Sequence, residues 1–272
     1  MPFQNRTVFI TGASRGIGKA IALRLAAEGA NVVVAAKSVE EDPRLGGTIF
    51  SVEKEIEDAG GKALAVQVDI RKEDQIEAAV QQAVDEFGSI DIVINNASAI
   101  QLGKTEQTDA KRFDLMHDIN VRGTYLVTRH CIPHLKKGTN PHILTLSPPV
   151  NLEQKWLSNH IAYTMSKYNM SMMAQAWAGE LRLYNIASNA LWPKTTIDTA
   201  AVRNLLGGEA LAKMSRTTAI VADAAYYILG KTNLQYTGNT FIDEDVLQAE
   251  GITDLEKYSV VPGAKLYTDL FL

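Results

Sequence analysis

At 272 residues with 46% hydrophobic content, the chain is too long for a small stapled module and long enough for one large domain with a substantial core. A formal charge of −4 supplies no attraction for nucleic acid or an anionic membrane surface, so neither is expected as a partner. One cysteine, Cys131, excludes an internal disulfide framework.

From the N-terminus, the β-branched and aromatic run at 7–10 reads as a strand ending at Thr11-Gly12. Ile17, Ile21 and Leu25 then share one helical stripe, which stops at Gly29. A buried-type strand follows at 31–36, a helix at 48–59 closed by Gly60-Gly61, and a third strand at 63–68. Over 73–87, Ile76, Val80, Ala83, Val84 and Phe87 fall on one helix face, and Gly88 ends it. Strand 92–94, a long helix at 111–135, strand 142–146, a second long helix at 161–184 and strand 186–191 continue the alternation. This rhythm predicts an α/β fold: a single doubly wound Rossmann domain over 1–272, its mostly parallel sheet flanked by helices on both faces. Two stretches break the rhythm, 38–46 and 194–216. Both follow carboxyl ends of strands, where open sheets form their ligand crevice, so both are expected to serve the site.

The first turn reads Thr11-Gly12-Ala13-Ser14-Arg15-Gly16-Ile17-Gly18. Glycines let a backbone turn tightly and approach a pyrophosphate whose charge meets the helix N-terminus, which marks Gly12, Ala13, Ser14, Arg15, Gly16, Ile17 and Gly18 as cofactor-binding candidates. Tyr163 and Lys167 stand four apart on a predicted helix and so share a face. A phenol ionises near pH ~10, and a neighbouring ammonium lowers that toward the range where it can exchange protons.

Together with Asn95-Asn96-Ala97 after the fourth strand, Asn120 in the long helix and Tyr163-Thr164-Met165-Ser166-Lys167, this turn resembles the short-chain dehydrogenase/reductase family. The likeness is closer still to the dehydrogenase half of the hydroxysteroid dehydrogenase-like proteins, through Ala35-Ala36-Lys37, Arg44-Leu45-Gly46-Gly47-Thr48-Ile49, Ser147-Pro148-Pro149, Ala190-Leu191-Trp192-Pro193-Lys194-Thr195 and Ile242-Asp243-Glu244. Such relatives can carry a C-terminal sterol-carrier-like domain, and none is expected within these residues.

The resemblance implies an oxidoreductase interconverting a carbonyl and a secondary alcohol on an apolar, lipid-like or steroid-like small molecule. It assigns Tyr163 as acid/base, Lys167 to the nicotinamide ribose and to tuning Tyr163, Asn120 to a proton relay, Asp69 to the adenine and Asn95 to the adenosine ribose. NAD sites place a carboxylate at the end of the second strand, whereas a 2′-phosphate needs a cation. Lys37 there, with Arg15 in the glycine turn, predicts NADP; Glu40, Glu41 and Asp42 keep NAD as the lesser alternative. No metal is expected.

One departure is prominent. Pro148 stands where the family carries a serine that donates to the substrate oxygen, and proline has no donor. Ser147 is expected to take that role from the strand end, with Ser158 or no side chain as the other outcomes. The alternative functional reading is a degenerate nucleotide-binding sensor or partner domain. His160 is expected to be an ordinary helix residue. Leu126, Val127 and Ile132 in one long helix, with Met172, Met173 and Trp177 in the other, predict a homotetramer or homodimer pairing these helices. With no apolar run long enough to span a bilayer, no leader ahead of the first strand and no peroxisomal signal in Asp269-Leu270-Phe271-Leu272, membrane insertion is not expected and a cytoplasmic location is.

Overall fold

The computed structural model describes residues 2–231 and 234–272. Seven strands are described: β1 (Thr7–Thr11), β2 (Asn31–Ala36), β3 (Lys62–Gln67), β4 (Ile92–Asn95), β5 (His142–Leu146), β6 (Ala187–Trp192) and β7 (Thr240–Ile242). They pair in parallel in the order β3-β2-β1-β4-β5-β6-β7. Six of these match the predicted strands; β7 follows the third of the chain where the sequence pattern fades.

Residues in β1, β2, β4, β5 and β6 are buried throughout, as expected of a parallel sheet covered on both faces. Side chains alternate between the faces. Val8, Ile10, Val32, Val34, Ile92 and Ile94 join the core under α1 (Gly16–Ala26), α2 (Ile49–Asp58) and α9 (Ala219–Gly230). Phe9, Val33, Val93 and Ile143 join the other, under α3 (Glu73–Phe87), α5 (Thr124–Leu135) and α7 (Ile161–Glu180).

The strand order reverses between β1 and β4, so the crevice opens where their loops diverge. These loops are stitched together. Asn96 Nδ2 donates to the carbonyls of Thr11 at 2.9 Å and Gly12 at 3.0 Å, while Thr11 Oγ1 accepts from the amides of Asn96 and Ala97, each at 3.1 Å. A Cβ on Gly18 would sit 2.4 Å from Asn96 Nδ2 and 2.6 Å from the Gly12 carbonyl, so only glycine lets α1 start this close.

The long helix predicted at 111–135 is continuous in direction but not in winding. Between α4 (Ala110–Met116) and α5 lies a π-helical segment, His117–Gly123, with Asn120 at its centre. Such bulges re-aim a side chain without ending a helix. The second long helix ends at Glu180, with a short 3-10 turn at Arg182–Tyr184 beyond it. The irregular 194–216 stretch contains a π turn, Val202–Leu206, and α8 (Gly208–Lys213).

Past β7, Asp243 opens α10 (Asp243–Ala249) with no exposed surface. Its Oδ1 accepts from the amides of Lys194 at 2.8 Å and Glu244 at 2.7 Å, while Oδ2 is buried without a partner. The segment leaving β6 is thereby fixed to α10. Burial pushes the Asp243 carboxyl up to about 7, against the pull of those two amides. An unfolded aspartate ionises near ~3.9, so between that value and about 7 the folded state holds the extra proton, and stability falls as pH rises through the window. Asp243→Asn keeps an oxygen for both amides and does not titrate. Its melting temperature relative to the native chain should therefore rise by roughly 3–8 °C between pH 5 and pH 8. A thermal-unfolding series showing a constant difference across that range would contradict the buried, proton-retaining carboxyl.

Candidate active site

One turn of α7 carries both Tyr163 and Lys167, and both are buried. Lys167 Nζ donates to the Leu146 carbonyl at 2.6 Å, at the carboxyl end of β5, and lies 5.1 Å from the centre of the Trp192 ring. Burial lowers the Lys167 ammonium to about 7, with the charge of Asp269 opposing the drop. Burial, aided by that same carboxylate, holds the Tyr163 phenol above its usual range. The pair thus consists of a protonated phenol beside an amine poised near neutrality.

Asn120 has no exposed surface. Its Oδ1 accepts from the Ala99 amide at 2.7 Å, and its Nδ2 donates to the Ala99 carbonyl and to Ser166 Oγ, each at 2.9 Å. Ser166 Oγ in turn donates to the Tyr163 carbonyl at 2.8 Å. The π-helical turn therefore ties the loop after β4 to the helix bearing Tyr163 and Lys167.

Tyr163 and Lys167 line a cavity of about 200 Å³ together with Ile17 of the glycine turn, Asn96, Ser98, Trp192, Thr196 and Asp269. Much of the remaining wall is apolar, from Ile100, Leu146, Ile197, Val202, Leu206 and Leu270. Phe271 packs behind Tyr163 and Trp192 of that wall. Its ring lies 6.3 Å from that of Tyr163 at 30°, and it also meets His160, Tyr168 and Trp192. The sequence reading missed Asn96, Trp192, Asp269 and Phe271. Asn96 stood in a recognised motif, but nothing in the spacing of the last residues signals that they return to the site.

A second, polar cavity of about 520 Å³ lies between the glycine turn and both irregular stretches, lined by Arg15, Gly16, Lys19, Arg44 and Arg203 among others. Asn204 Nδ2 donates to the Arg44 carbonyl at 2.9 Å, joining the two stretches. A Cβ on Gly47 would lie 2.3 Å from the Ser14 carbonyl, so the 38–48 loop rests directly on the glycine turn. Arg15 donates to Ser38 Oγ at 2.9 Å and the Gly47 carbonyl at 3.1 Å. Gly12 and Gly16 take φ of +66° and +56°, and Ala13 and Ser14 between them are buried.

Lys37 is exposed just past β2. Nearby Asp69 is clasped by Arg71, with Nε at 2.9 and 3.0 Å from the two oxygens and Nη2 closing the fork. That guanidinium holds the Asp69 carboxyl below the usual range, with Lys37 adding to the effect. Asn95 turns inward: its Nδ2 donates to Thr128 Oγ1 at 2.9 Å, and its Oδ1 is buried without a partner.

Ser147 is not brought to the cavity wall. It has no exposed surface and its Oγ lacks a hydrogen-bond partner. The Pro148 carbonyl instead accepts from Ser171 Oγ at 2.6 Å, pinning this turn to α7. His160 is a packing residue, its Nδ1 2.8 Å from Thr164 Oγ1 and its ring edge-on to Tyr163. Of the helix residues expected at a subunit contact, Leu126, Val127 and Trp177 are in the core, while Met172 is exposed, as are Phe113, Tyr125 and Met165 on α4, α5 and α7.

The short chain dehydrogenase family matches residues 6–209. Hydroxysteroid dehydrogenase-like protein 2 of Xenopus laevis is 58% identical over 266 residues, covering 98% of this chain and 63% of the relative. The Homo sapiens protein of that name is 53% identical over 270 residues, with the same coverages. The chain thus spans 63% of the length of these curated relatives. A short chain dehydrogenase from Mycobacterium thermoresistibile superposes with a TM-score of 0.94 at 55% identity, over 99% of this chain and 96% of that one. A metagenomic short-chain oxidoreductase solved with NADP gives 0.73 at 25% identity, over 89% and 97%. With its strand order, its stitched glycine turn and its Tyr163–Lys167 pair, the chain belongs to the short chain dehydrogenase family.

Proposed function

We propose that the chain is an NADP-dependent oxidoreductase that interconverts a carbonyl and a secondary alcohol on an apolar small molecule. The observation carrying this reading is the convergence of Tyr163, Lys167 and the glycine turn's Ile17 on one largely apolar cavity.

The residues present fit a dinucleotide. Gly12 and Gly16 take the left-handed backbone of a tight strand-to-helix turn, and Gly18 lets the start of α1 close on it, which puts a helix N-terminus where a pyrophosphate's charge would be met. Gly12 to Gly18 would hold the pyrophosphate, Asp69 would lie toward the adenosine and Lys167 would take the nicotinamide ribose hydroxyls, while Asn95, turned inward to Thr128, serves the fold rather than the ribose. When bound, such a cofactor supplies hydride chemistry. Tyr163 Oη gives its proton to the carbonyl oxygen in reduction and takes it back in oxidation. The Lys167 cation stabilises the phenolate left behind. Asn120 holds the loop after β4 and α7 in register around this exchange, and its proposed part in a proton relay rests on the family resemblance alone. The apolar wall keeps competing water from the reacting carbon and favours an apolar substrate.

Tyr163→Phe removes only the hydroxyl. Turnover should fall by about 10²–10⁴ while NADPH binding stays within roughly threefold, measured by steady-state kinetics and fluorescence titration. Activity within about threefold of the native enzyme would remove Tyr163 from the mechanism. The same pair of assays addresses a second reading, nucleotide binding without turnover, which the enclosed Ser147 and the proline at 148 favour.

NADPH preference rests on the exposed Lys37 and on Arg15 at the turn. Lys37→Asp should weaken NADPH by about tenfold or more, with NADH far less affected, because a carboxylate would face the 2′-phosphate. Equal affinities of the native protein for the two nucleotides would refute the preference.

We also propose a homo-oligomer, a tetramer or dimer, joined through α4, α5 and α7. Phe113, Tyr125, Met165 and Met172 give these helices an outward apolar surface. Light scattering at micromolar concentration should return a dimer or tetramer mass; a monomer would contradict the pairing.

A further inference from the structure

Asp269 lies outside the 6–209 family match, yet it lines the catalytic cavity. The C-terminal segment brings it there through a series of anchors. The Tyr267 amide donates to the Met214 carbonyl and its carbonyl accepts from the Thr196 amide, each at 2.9 Å. Thr268 pairs antiparallel with Thr195, and the Asp269 amide donates to the Lys194 carbonyl at 3.1 Å. Trp192 Nε1 donates to the Leu270 carbonyl at 3.0 Å, and Phe271 is buried against Tyr163. The carboxylate is therefore held by backbone on both sides.

Its own hydrogen bonding is sparse. Among the described residues its side chain accepts one bond, from the Leu270 amide to Oδ1 at 2.7 Å, and makes no ion pair. Burial raises it to about 6, with Lys167 opposing the rise, which leaves it mostly ionised at neutral pH. An anionic oxygen with spare acceptor capacity thus stands in a small cavity beside the acid/base pair. Such a group is unfavourable toward a second anion and seeks a donor.

We infer that Asp269 is a specificity residue: the substrate presents a hydrogen-bond donor, a hydroxyl or an amine, near its reacting carbonyl or carbinol, and is not a free carboxylate. This deepens the oxidoreductase reading and rests on Tyr163 meeting the substrate oxygen in this cavity.

The test uses two matched ketone pairs, methyl levulinate against levulinate and hydroxyacetone against methoxyacetone. Binding is followed by tryptophan fluorescence, since Trp192 lies in the cavity wall. The native protein should bind methyl levulinate about tenfold tighter than levulinate, and hydroxyacetone about threefold tighter than methoxyacetone. Asp269→Asn, which keeps an oxygen for the Leu270 amide, should bring both ratios within about twofold of one. A native ratio near one for either pair, including failure of both members to bind, overturns the inference, as do ratios that survive in a folded Asp269→Asn. If that variant does not fold, the native ratios decide alone. NADPH oxidation with the same four ketones is measured alongside. No turnover with any of them would count against the oxidoreductase reading, while the binding ratios still decide the role of Asp269.

Discussion

The site is organised around one unfavourable act, the burial of the Lys167 amine. An ammonium taken from water costs several kcal/mol unless partners replace its hydration. Here the protein supplies the Leu146 carbonyl at 2.6 Å, the Trp192 face and the more distant charge of Asp269. These partners come from the carboxyl end of β5, the end of β6 and the C-terminal segment. Each must therefore be fixed where it is, and the surrounding contacts do this. Ser171 pins the Pro148 turn, Asp243 pins the segment after β6, and Phe271 wedges the last residues against the aromatic cluster. The compensation is incomplete, which is why the amine falls to about 7 and stays responsive to its surroundings.

The parallel sheet supplies the rest of the geometry. Its reversal at β1 and β4 opens a crevice, and the Thr11–Asn96 stitching keeps the two diverging loops in contact. Ile17 then reaches the same cavity as Tyr163, so the glycine turn and α7 meet without any shared element. Asn120 closes the circuit from the third direction, and its reach depends on the π-helical winding around it. A uniformly α-helical turn would present a different side chain to Ala99.

Most strands and helices up to residue 192 were legible because their periodicities are strong and several boundaries are marked by Gly29, Gly60-Gly61 and Gly88; the one-turn helix Gln154–Ser158 and the π winding at His117–Gly123 are too short to leave a period of their own. The remainder was not, for identifiable reasons. Helix α9 is apolar around most of its circumference, so it offers no stripe from which to read a period. Strand β7 is three residues long, below the length at which alternation registers. Four-residue spacing put Tyr163 and Lys167 on one helix face, and the structure brings both to the one cavity, while Asn120, named from the resemblance, lies buried against the loop after β4. Ser147 was judged from its place at a strand end, but in a fully covered sheet alternate side chains at that position point inward, and its hydroxyl is enclosed. Asp269 depends on a contact between the last residues and the end of β6, which no local pattern encodes.

Donor count separates the carboxylates that hold this fold from those that serve its site. Asp91, at the amino end of the sheet, accepts from the Thr7 amide at 2.7 Å, Ser89 Oγ at 3.0 Å and the Thr139 amide at 2.5 Å. Three donors compensate its burial, and it staples β1, β4 and the turn before β5. Asp243 receives two amides on one oxygen and none on the other, so its proton is held more tightly and the loop it positions carries a residual cost. Asp269 receives one, and its remaining capacity faces the cavity rather than the backbone. A buried carboxylate whose lone pairs are taken up by protein donors has little acceptor capacity left for a ligand. One left under-supplied at the mouth of a cavity still has its strongest interaction to make, and only a molecule entering that cavity can complete it.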